Sequence, residues 1–346
     1  MKNPFVTNGY VSPEYFCDRE KETAKIVSLL TNENNIALIS PRRLGKTDLL
    51  RHCFGQPEIK EHYHTFIIDI YATSSVRDFV NVFGKAVLDE LRPKGKSVWS
   101  TFLNVLASLR SEITFDMNGQ PTWGIGLGAI TNPSATLDEI FSYLNNAGKP
   151  CLIAIDEFQQ ITKYADDPNI EAALRTHIQR CSNAHFVFSG SHRHLMGAMF
   201  TSPTRPFYQS VTLINLPPIS VDKYAEFCLK HFERASKLLD TLVVTELYER
   251  FNGITSYMQK VMNILFSMTG TGEICIPSMI DTAINDLLDF SADTYDALLY
   301  QMPEKQRIVF MAIAAEGKAK AISSGGFVRK YKLQSASSVS SAVKDC

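Results

Sequence analysis

The stretch Ser40-Pro41-Arg42-Arg43-Leu44-Gly45-Lys46-Thr47 sets a lysine and a hydroxyl directly behind a glycine. That order suits phosphate chemistry. A loop of this kind turns backbone N–H groups toward an anion, and a following helix adds its positive N-terminal end. Gly45 lets the backbone approach without a side chain in the way. Lys46 is expected to neutralise the β- and γ-phosphates, and the Thr47 hydroxyl to ligate Mg2+. The expected phosphate cradle comprises Pro41, Arg42, Arg43, Leu44, Gly45, Lys46, Thr47 and Asp48. Ser40 stands where the pattern G-x-x-x-x-G-K-[ST] begins with glycine, so the strict motif is not met. Alone, Gly-Lys-Thr is a weak signal. Here an apolar run precedes it and helical spacing follows. Arg42 and Arg43 either add charge at the nucleotide, touch a neighbouring subunit or form a solvated pair, and spacing does not decide among these.

A second cluster lies 110 residues on. CLIAIDEF, 151–158, is an apolar strand that ends in two adjacent acids. Burying carboxylates behind such a run is costly unless a cation or ordered water uses them. Asp156 is expected to hold Mg2+, and Glu157 to polarise an attacking water as general base. An exposed Asp-Glu pair opening a loop is the bland alternative, weakened by the phosphate loop upstream. In HFVFSGS, 185–191, Ser189 and Ser191 end a further strand. Either could sense a γ-phosphate, and nothing in the pattern chooses between them. Gln159 and Gln160 face the same site or a neighbour.

The elements that must position these groups alternate. IALIS (36–40), TFIIDIY (65–71), CLIAIDE (151–157), HFVFSGS (185–191) and VTLINL (211–216) read as strands. Helical spacing fills 18–30, with Asp18 as N-cap, then the stretch from Lys46, 76–91 and about 169–181. Such alternation implies a parallel sheet covered on both faces, with ligands at the carboxyl ends of its strands. Pro217-Pro218 marks a break, after which 220–236, 241–251, 255–268 and 277–289 read as helices. Three short helices, 303–315, 324–331 and 335–344, suit a helix-turn-helix core. From residue 303 on, eight Lys and Arg stand against Glu304, Glu316 and Asp345. The chain ends just after the candidate recognition helix, so this unit looks incomplete. The expected domains are a core at 1–216, a helical lid at 217–290 and a helix-turn-helix unit at 291–346.

Composition bounds the reading. Over 346 residues the chain is 45% hydrophobic and 21% charged, as in ordinary globular proteins. A formal net charge of -1 gives no global electrostatic grip on nucleic acid. Seven scattered cysteines without a C-x-x-C pair argue against a disulfide framework and a thiolate zinc site. With no leader-like start and no apolar run of the ~18 residues a membrane span needs, a cytoplasmic protein is expected.

SPRRLGKT, IDEFQQI and FSGSHRHLMGAMF followed by RPFYQS resemble the prokaryotic AAA-type P-loop ATPases, in the archaeal-ATPase-like group related to the STAND NTPases. The resemblance covers about 14–290 and is weaker in the tail. It implies an α/β core of AAA/ASCE type, a P-loop NTPase parallel sheet sandwiched by helices. An all-α lid and a C-terminal winged-helix-like unit would follow. Lys46 and Thr47 then match Walker A, and Asp156 and Glu157 match Walker B. YFCDRE, 15–20, is similar to the family's motif near adenine, so Tyr15 and Phe16 would stack on or wall the base. NGITSYMQ, 252–259, is similar to the lid motif, with Thr255 and Ser256 where proline is expected. An arginine from a partner often completes such sites. Arg175, Arg180, Arg193 and Arg205 are candidates, with Arg205 favoured.

Other patterns carry less. WGIGLG, 123–128, lacks the G-x-G-x-x-G spacing and reads as part of a hairpin. His62/His64 and His192/His194 have no acidic or thiolate partner nearby in sequence, so no metal other than Mg2+ is expected. No N-K-x-D string favours GTP, and no arginine-rich acceptor lid favours a kinase. The reading is an ATP- and Mg2+-dependent hydrolase whose cycle moves the lid and tail, with homo-oligomer formation left open. The alternative is a nucleotide-gated switch of negligible turnover that binds DNA or a protein partner through the tail.

Overall fold

Three strands of the main sheet, around 36–39, 151–155 and 186–188, are continuous apolar runs, as expected where both faces are covered. The computed structural model describes residues 2–91, 113–115, 121–123, 133–317 and 319–344. Its strands are β1 (Ile36–Ile39), β2 (His64–Asp69), β3 (Ile113–Phe115), β4 (Pro121–Trp123), β5 (Cys151–Asp156), β6 (Ala184–Gly190), β7 (Thr212–Asn215), β8 (Leu238–Leu239) and β9 (Ile274–Cys275). The main sheet has the order β2-β5-β6-β1-β7, and every pairing in it is parallel. All five carboxyl ends therefore lie along one edge. β6 separates the phosphate-loop strand β1 from the acidic strand β5. Leu38 pairs with Ser189, and Ile155 with Phe188, so Asp156 and Ser189 stand at the same level.

Strand alternation sends neighbouring residues to opposite faces. On one face Ala37, Ile39, Ile153, Ile155, Phe186 and Phe188 meet the helices Val76–Leu91, Pro133–Asn145 and Ile170–Arg180. On the other, Ile36, Leu38, Leu152, Ala154 and Val187 meet Glu20–Thr31 and Lys46–Phe54. The phosphate-loop helix is thus bolted down by Leu49, Leu50 and Cys53, all fully buried.

Asp18 does not cap the first helix. Arg19 holds that position, and Asp18 and Arg19 are both left-handed, at φ 56° and 78°. The reason is the Arg19 side chain. It turns inward to donate to the Pro217 carbonyl at 2.7 Å and pairs with Glu22. The expected hairpin is met in part, because β3 and β4 pair antiparallel with Ile113 opposite Trp123. Residues 124–128 lie outside the described residues.

Beyond Pro217 the chain forms the helices Val221–Arg234, Thr241–Phe251 and Thr255–Met268. Ser220 and Asp240 cap the first two by accepting from Lys223 and Leu242 N–H groups. β8 and β9 pair in parallel within this segment, and two-residue strands leave no periodicity to detect. The chain divides into two compact units, Met1–Pro277 and Ser278–Cys346. The helix expected over 277–289 runs Ile280–Gln301, so the expected boundary at 290/291 falls inside it. That helix carries Asp281, Asp286, Asp289, Asp293 and Asp296 and no Lys or Arg. The second unit consequently holds as many Asp and Glu as Lys and Arg, eight of each, and is not basic as a whole. Its small core joins Val309, Val339 and Ala342, with Ile313, Ile322, Val328 and Leu333 against them. No helix among the described residues is long and apolar enough to cross a membrane.

Histidines buried uncharged set a pH dependence. Burial, then Arg234 and Lys230, hold His231 below the ordinary histidine range, and Glu14 opposes them. Burial likewise lowers His52, His177 and His185. A lowered folded value means that the unfolded chain takes up protons first as pH falls. Stability should therefore drop as pH is lowered through about 6.5, the unfolded histidine value. His231 is fully buried, stacked on Tyr15 and edge-on to Phe227. His231→Phe should flatten part of the decline in urea midpoint between about pH 7.5 and 5.5. An unchanged slope would show that His231 does not contribute.

Candidate active site

The phosphate loop leaves β1 at Ser40, which is buried. Its N–H donates to the Gly190 carbonyl at 3.3 Å and its Oγ to the Pro41 carbonyl at 3.0 Å. Arg43 and Gly45 are both left-handed, at φ 68° and 82°. Gly45 caps the helix Lys46–Phe54, where glycine takes this conformation without penalty. Lys46 is buried and its Nζ donates to the Ser40 carbonyl at 3.3 Å. Burial pulls its ammonium below the ordinary lysine range, Asp156 and Glu157 pull it back up, and Arg42 adds to the lowering.

Asp156 is where the elements meet. Its Oδ2 accepts from Thr47 Oγ1 at 2.5 Å and its Oδ1 from Ser189 Oγ at 2.5 Å. Oδ1 also accepts the Glu157 N–H at 3.0 Å. One buried carboxylate thus joins the phosphate-loop helix, β5 and β6. Glu157 follows in a left-handed turn at φ 55°. Its Oε2 accepts from Ser191 Oγ at 2.8 Å and from Gln159 Nε2 at 2.5 Å. Arg42 Nε reaches Ser191 Oγ at 3.4 Å, and the guanidinium lies 5.4 Å from the centre of the Tyr71 ring. The two serines divide as the register dictates: Ser189 serves Asp156 and Ser191 serves Glu157. Gly190 lies between them, where a β-carbon would stand 2.4 Å from Gln159 Oε1 and 2.6 Å from Met196 Sδ.

A cavity of about 320 Å3 opens beside this group. Arg42 to Asp48 line it, as do Glu157, Tyr15 and Phe16. Pro41 lies in the loop but does not line it. Phe16 is stacked on His52 at 4.4 Å, and Tyr15 on His231 at 5.9 Å. Burial raises the Asp48 carboxyl above the ordinary range, and Arg51 and the Tyr10 backbone oppose it. Arg205 is not a lining residue. Its guanidinium is one-third exposed and paired with the buried Glu171.

Sequence reasoning missed the wall made by Val6, Thr7, Gly9, Tyr10 and Val11. Tyr10 Oη lies 3.1 Å from His52 Nδ1, which fastens this segment to the phosphate helix. Asn263 fastens it again by donating to the Phe5 carbonyl at 2.7 Å. The one signal was aromatic, with Phe5 and Tyr10 in a stretch of no periodicity. Arg19, Ile219 and Gln259 also line the cavity and were not foreseen.

Residues 16–261 match the family described as the ATPase domain predominantly from Archaea. Residues 293–346 match the "Probable winged helix domain" family. The chain belongs to the first family, and its α/β core is that of the AAA-type P-loop ATPases. Among solved structures, a Walker-type ATPase of Pyrococcus abyssi is 16% identical, with a TM-score of 0.62 over 99% of this chain and 92% of that one. The ORC2 protein of Aeropyrum pernix, in its ADPNP-ADP complexes, is 14% identical, with a TM-score of 0.58 over 95% and 82%. The ORC1 protein of the same organism, in complex with DNA, is 14% identical, with a TM-score of 0.56 over 96% and 84%. At these identities the likeness establishes the fold. No curated protein matches the sequence.

Ser189→Ala removes a buried donor from Asp156 and should cost about 1–3 kcal/mol of stability. Ser191 is only part-buried, so Ser191→Ala should cost less than about 1 kcal/mol. Urea midpoints of the two variants check the ordering, and equal midpoints would contradict it.

Proposed function

We propose that the chain hydrolyses ATP with Mg2+ at this cavity and that nucleotide state moves the helical lid after Pro217 and the C-terminal unit. The observation that carries the reading is the pairing of two acid roles at one strand end. Asp156 is committed to Thr47 and Ser189, while Glu157 faces the cavity beside Lys46. The donor set fits Mg2+, because a threonine hydroxyl and a carboxylate are hard oxygen ligands. Among the described residues no group of three or more His, Cys, Asp or Glu could hold a metal, so phosphate and water oxygens would complete its shell. When bound, Mg2+ neutralises charge on the phosphate oxygens.

Lys46 would pair with the terminal phosphates, its ammonium already aimed along the loop by Ser40. Loop N–H groups would take the remaining oxygens. Glu157 would accept a proton from the attacking water, with Ser191 and Gln159 fixing its carboxylate. Ser191 and Ser189 are the proposed sensors of γ-phosphate. Tyr15 and Phe16 would wall the base. Arg205 is proposed as the arginine that a neighbouring copy supplies, held at the surface by Glu171. Cytoplasmic location belongs to the same reading.

One observation favours the alternative of a switch with negligible turnover. Glu157 Oε2 already accepts from Ser191 and Gln159, so protein donors occupy the oxygen that the attacking water would need. In either case the winged-helix match supports DNA or a protein as the partner of residues 293–346. The DNA in the ORC1 structure supports the first of these, and the balanced charge of the second unit supports the other.

Phosphate release from ATP is the test, with and without Mg2+ and duplex DNA. Glu157→Gln should slow release at least ~100-fold with ATP still bound. Lys46→Ala should abolish release, and stimulation of the wild type by DNA would identify the partner. ATP binding without release by the wild type under all these conditions would overturn hydrolysis in favour of the switch.

A further inference from the structure

We infer that Arg43 and Tyr257 couple the phosphate loop to the helix Thr255–Met268, so that phosphate in the loop releases the first turn of that helix. The inference rests on the ATP-binding reading above.

Arg43 is exposed and left-handed, a conformation that a β-carbon disfavours. Two contacts accompany it. Its carbonyl accepts the Ser256 N–H at 3.2 Å. That N–H belongs to the opening turn of a helix, where backbone donors have no intrahelical acceptor. Its guanidinium donates to Tyr257 Oη and lies 4.9 Å from the centre of the Tyr257 ring, within cation–π range. Backbone and side chain of one loop residue thus grip two consecutive residues of the helix.

The far side of the grip is stiff. Asn252 and Gly253 make a left-handed turn into the helix, at φ 51° and 69°. A β-carbon on Gly253 would stand 2.9 Å from both Pro218 and Tyr248, so this turn has no slack. The Tyr257 ring packs on Phe251 at 5.8 Å. Thr255, Ser256 and Gln259 line the cavity beside Gly45 and Lys46, whereas Tyr257 does not. A shift of Arg43 is therefore passed to the helix start rather than absorbed.

Charge supplies the trigger. Among the described residues no carboxylate forms an ion pair with Arg43, and its side-chain partner is a neutral phenol. Hydrogen bonds to ionised acceptors are about twice as strong as neutral ones, and guanidinium suits phosphate geometry. An anion in the loop outcompetes the phenol for the guanidinium, and the hold on Tyr257 lapses.

Hydrogen exchange of the peptide 255–262 in the full chain tests this, with ATP binding measured by calorimetry. In the wild type, saturating ATP should speed exchange there by at least about fivefold. Tyr257→Ala should bind ATP within about threefold of wild type but exchange fast with or without it. Tyr257→Phe, which keeps the ring, should retain less than about half of the ATP effect. If Tyr257→Ala does not fold, Tyr257→Phe decides. A wild-type ATP response in the folded variant, or no response in wild type that binds ATP, would overturn the coupling alone. Failure of the wild type to bind ATP would overturn the functional reading together with it.

Discussion

The Asp156 carboxylate is the constraint on which the site depends. It is buried, and a buried charge is tolerated only when its oxygens are occupied. Thr47, Ser189 and the Glu157 N–H occupy them, and these groups come from the phosphate-loop helix, β6 and the turn after β5. Three elements distant in sequence are thereby held at one point, next to the cavity. The two oxygens proposed to face Mg2+ are thus the same two that tie these elements together.

Glu157 shows how a strained residue is kept in place. Left-handed backbone at a residue with a β-carbon costs of order 1–3 kcal/mol. The neighbour Phe158 is fully buried and packs on Phe188 at 4.4 Å and on Phe207 at 5.4 Å. Phe200 completes this aromatic cluster beneath the strand ends. Burial of one phenylalanine contributes about 1.5–3 kcal/mol, enough to offset the strain. The apolar core thus aims the carboxylate, with Ser191 and Gln159 making the final adjustment.

The legible parts of the chain were those where a local pattern and a physical role coincide. Apolar runs on β1, β5 and β6 announced strands because both faces of each are covered. Acids and serines at the ends of β5 and β6 come together as expected, because parallel strands end on one edge. The opaque parts depend on contacts between distant segments. The wall around Tyr10 exists because of His52 and Asn263, neither of which is near it in sequence. Asp18 looked like a cap, yet Arg19 took the position because Pro217, 198 residues away, offers an acceptor. The helix after 280 appeared to belong with the lid, since helical spacing says nothing of which unit a helix packs into. With the whole helix in the second compact unit, Asp281, Asp286 and Asp289 join Asp293 and Asp296 there, and its acids equal its bases.

The failure of the strict phosphate-loop motif at Ser40 follows the same logic. Glycine is favoured where the backbone must be left-handed or where another group approaches closely. Ser40 meets neither condition. Its φ is not positive, and its N–H is still in register with the sheet, donating to Gly190. The left-handed positions in this loop are Arg43 and Gly45. Gly45 stands directly before the lysine, where the helix begins. Arg43 accepts the strain, and its carbonyl and guanidinium both find partners on the helix from Thr255. Conformational demand in this loop falls on its middle, and that middle is where the loop meets the helix from Thr255.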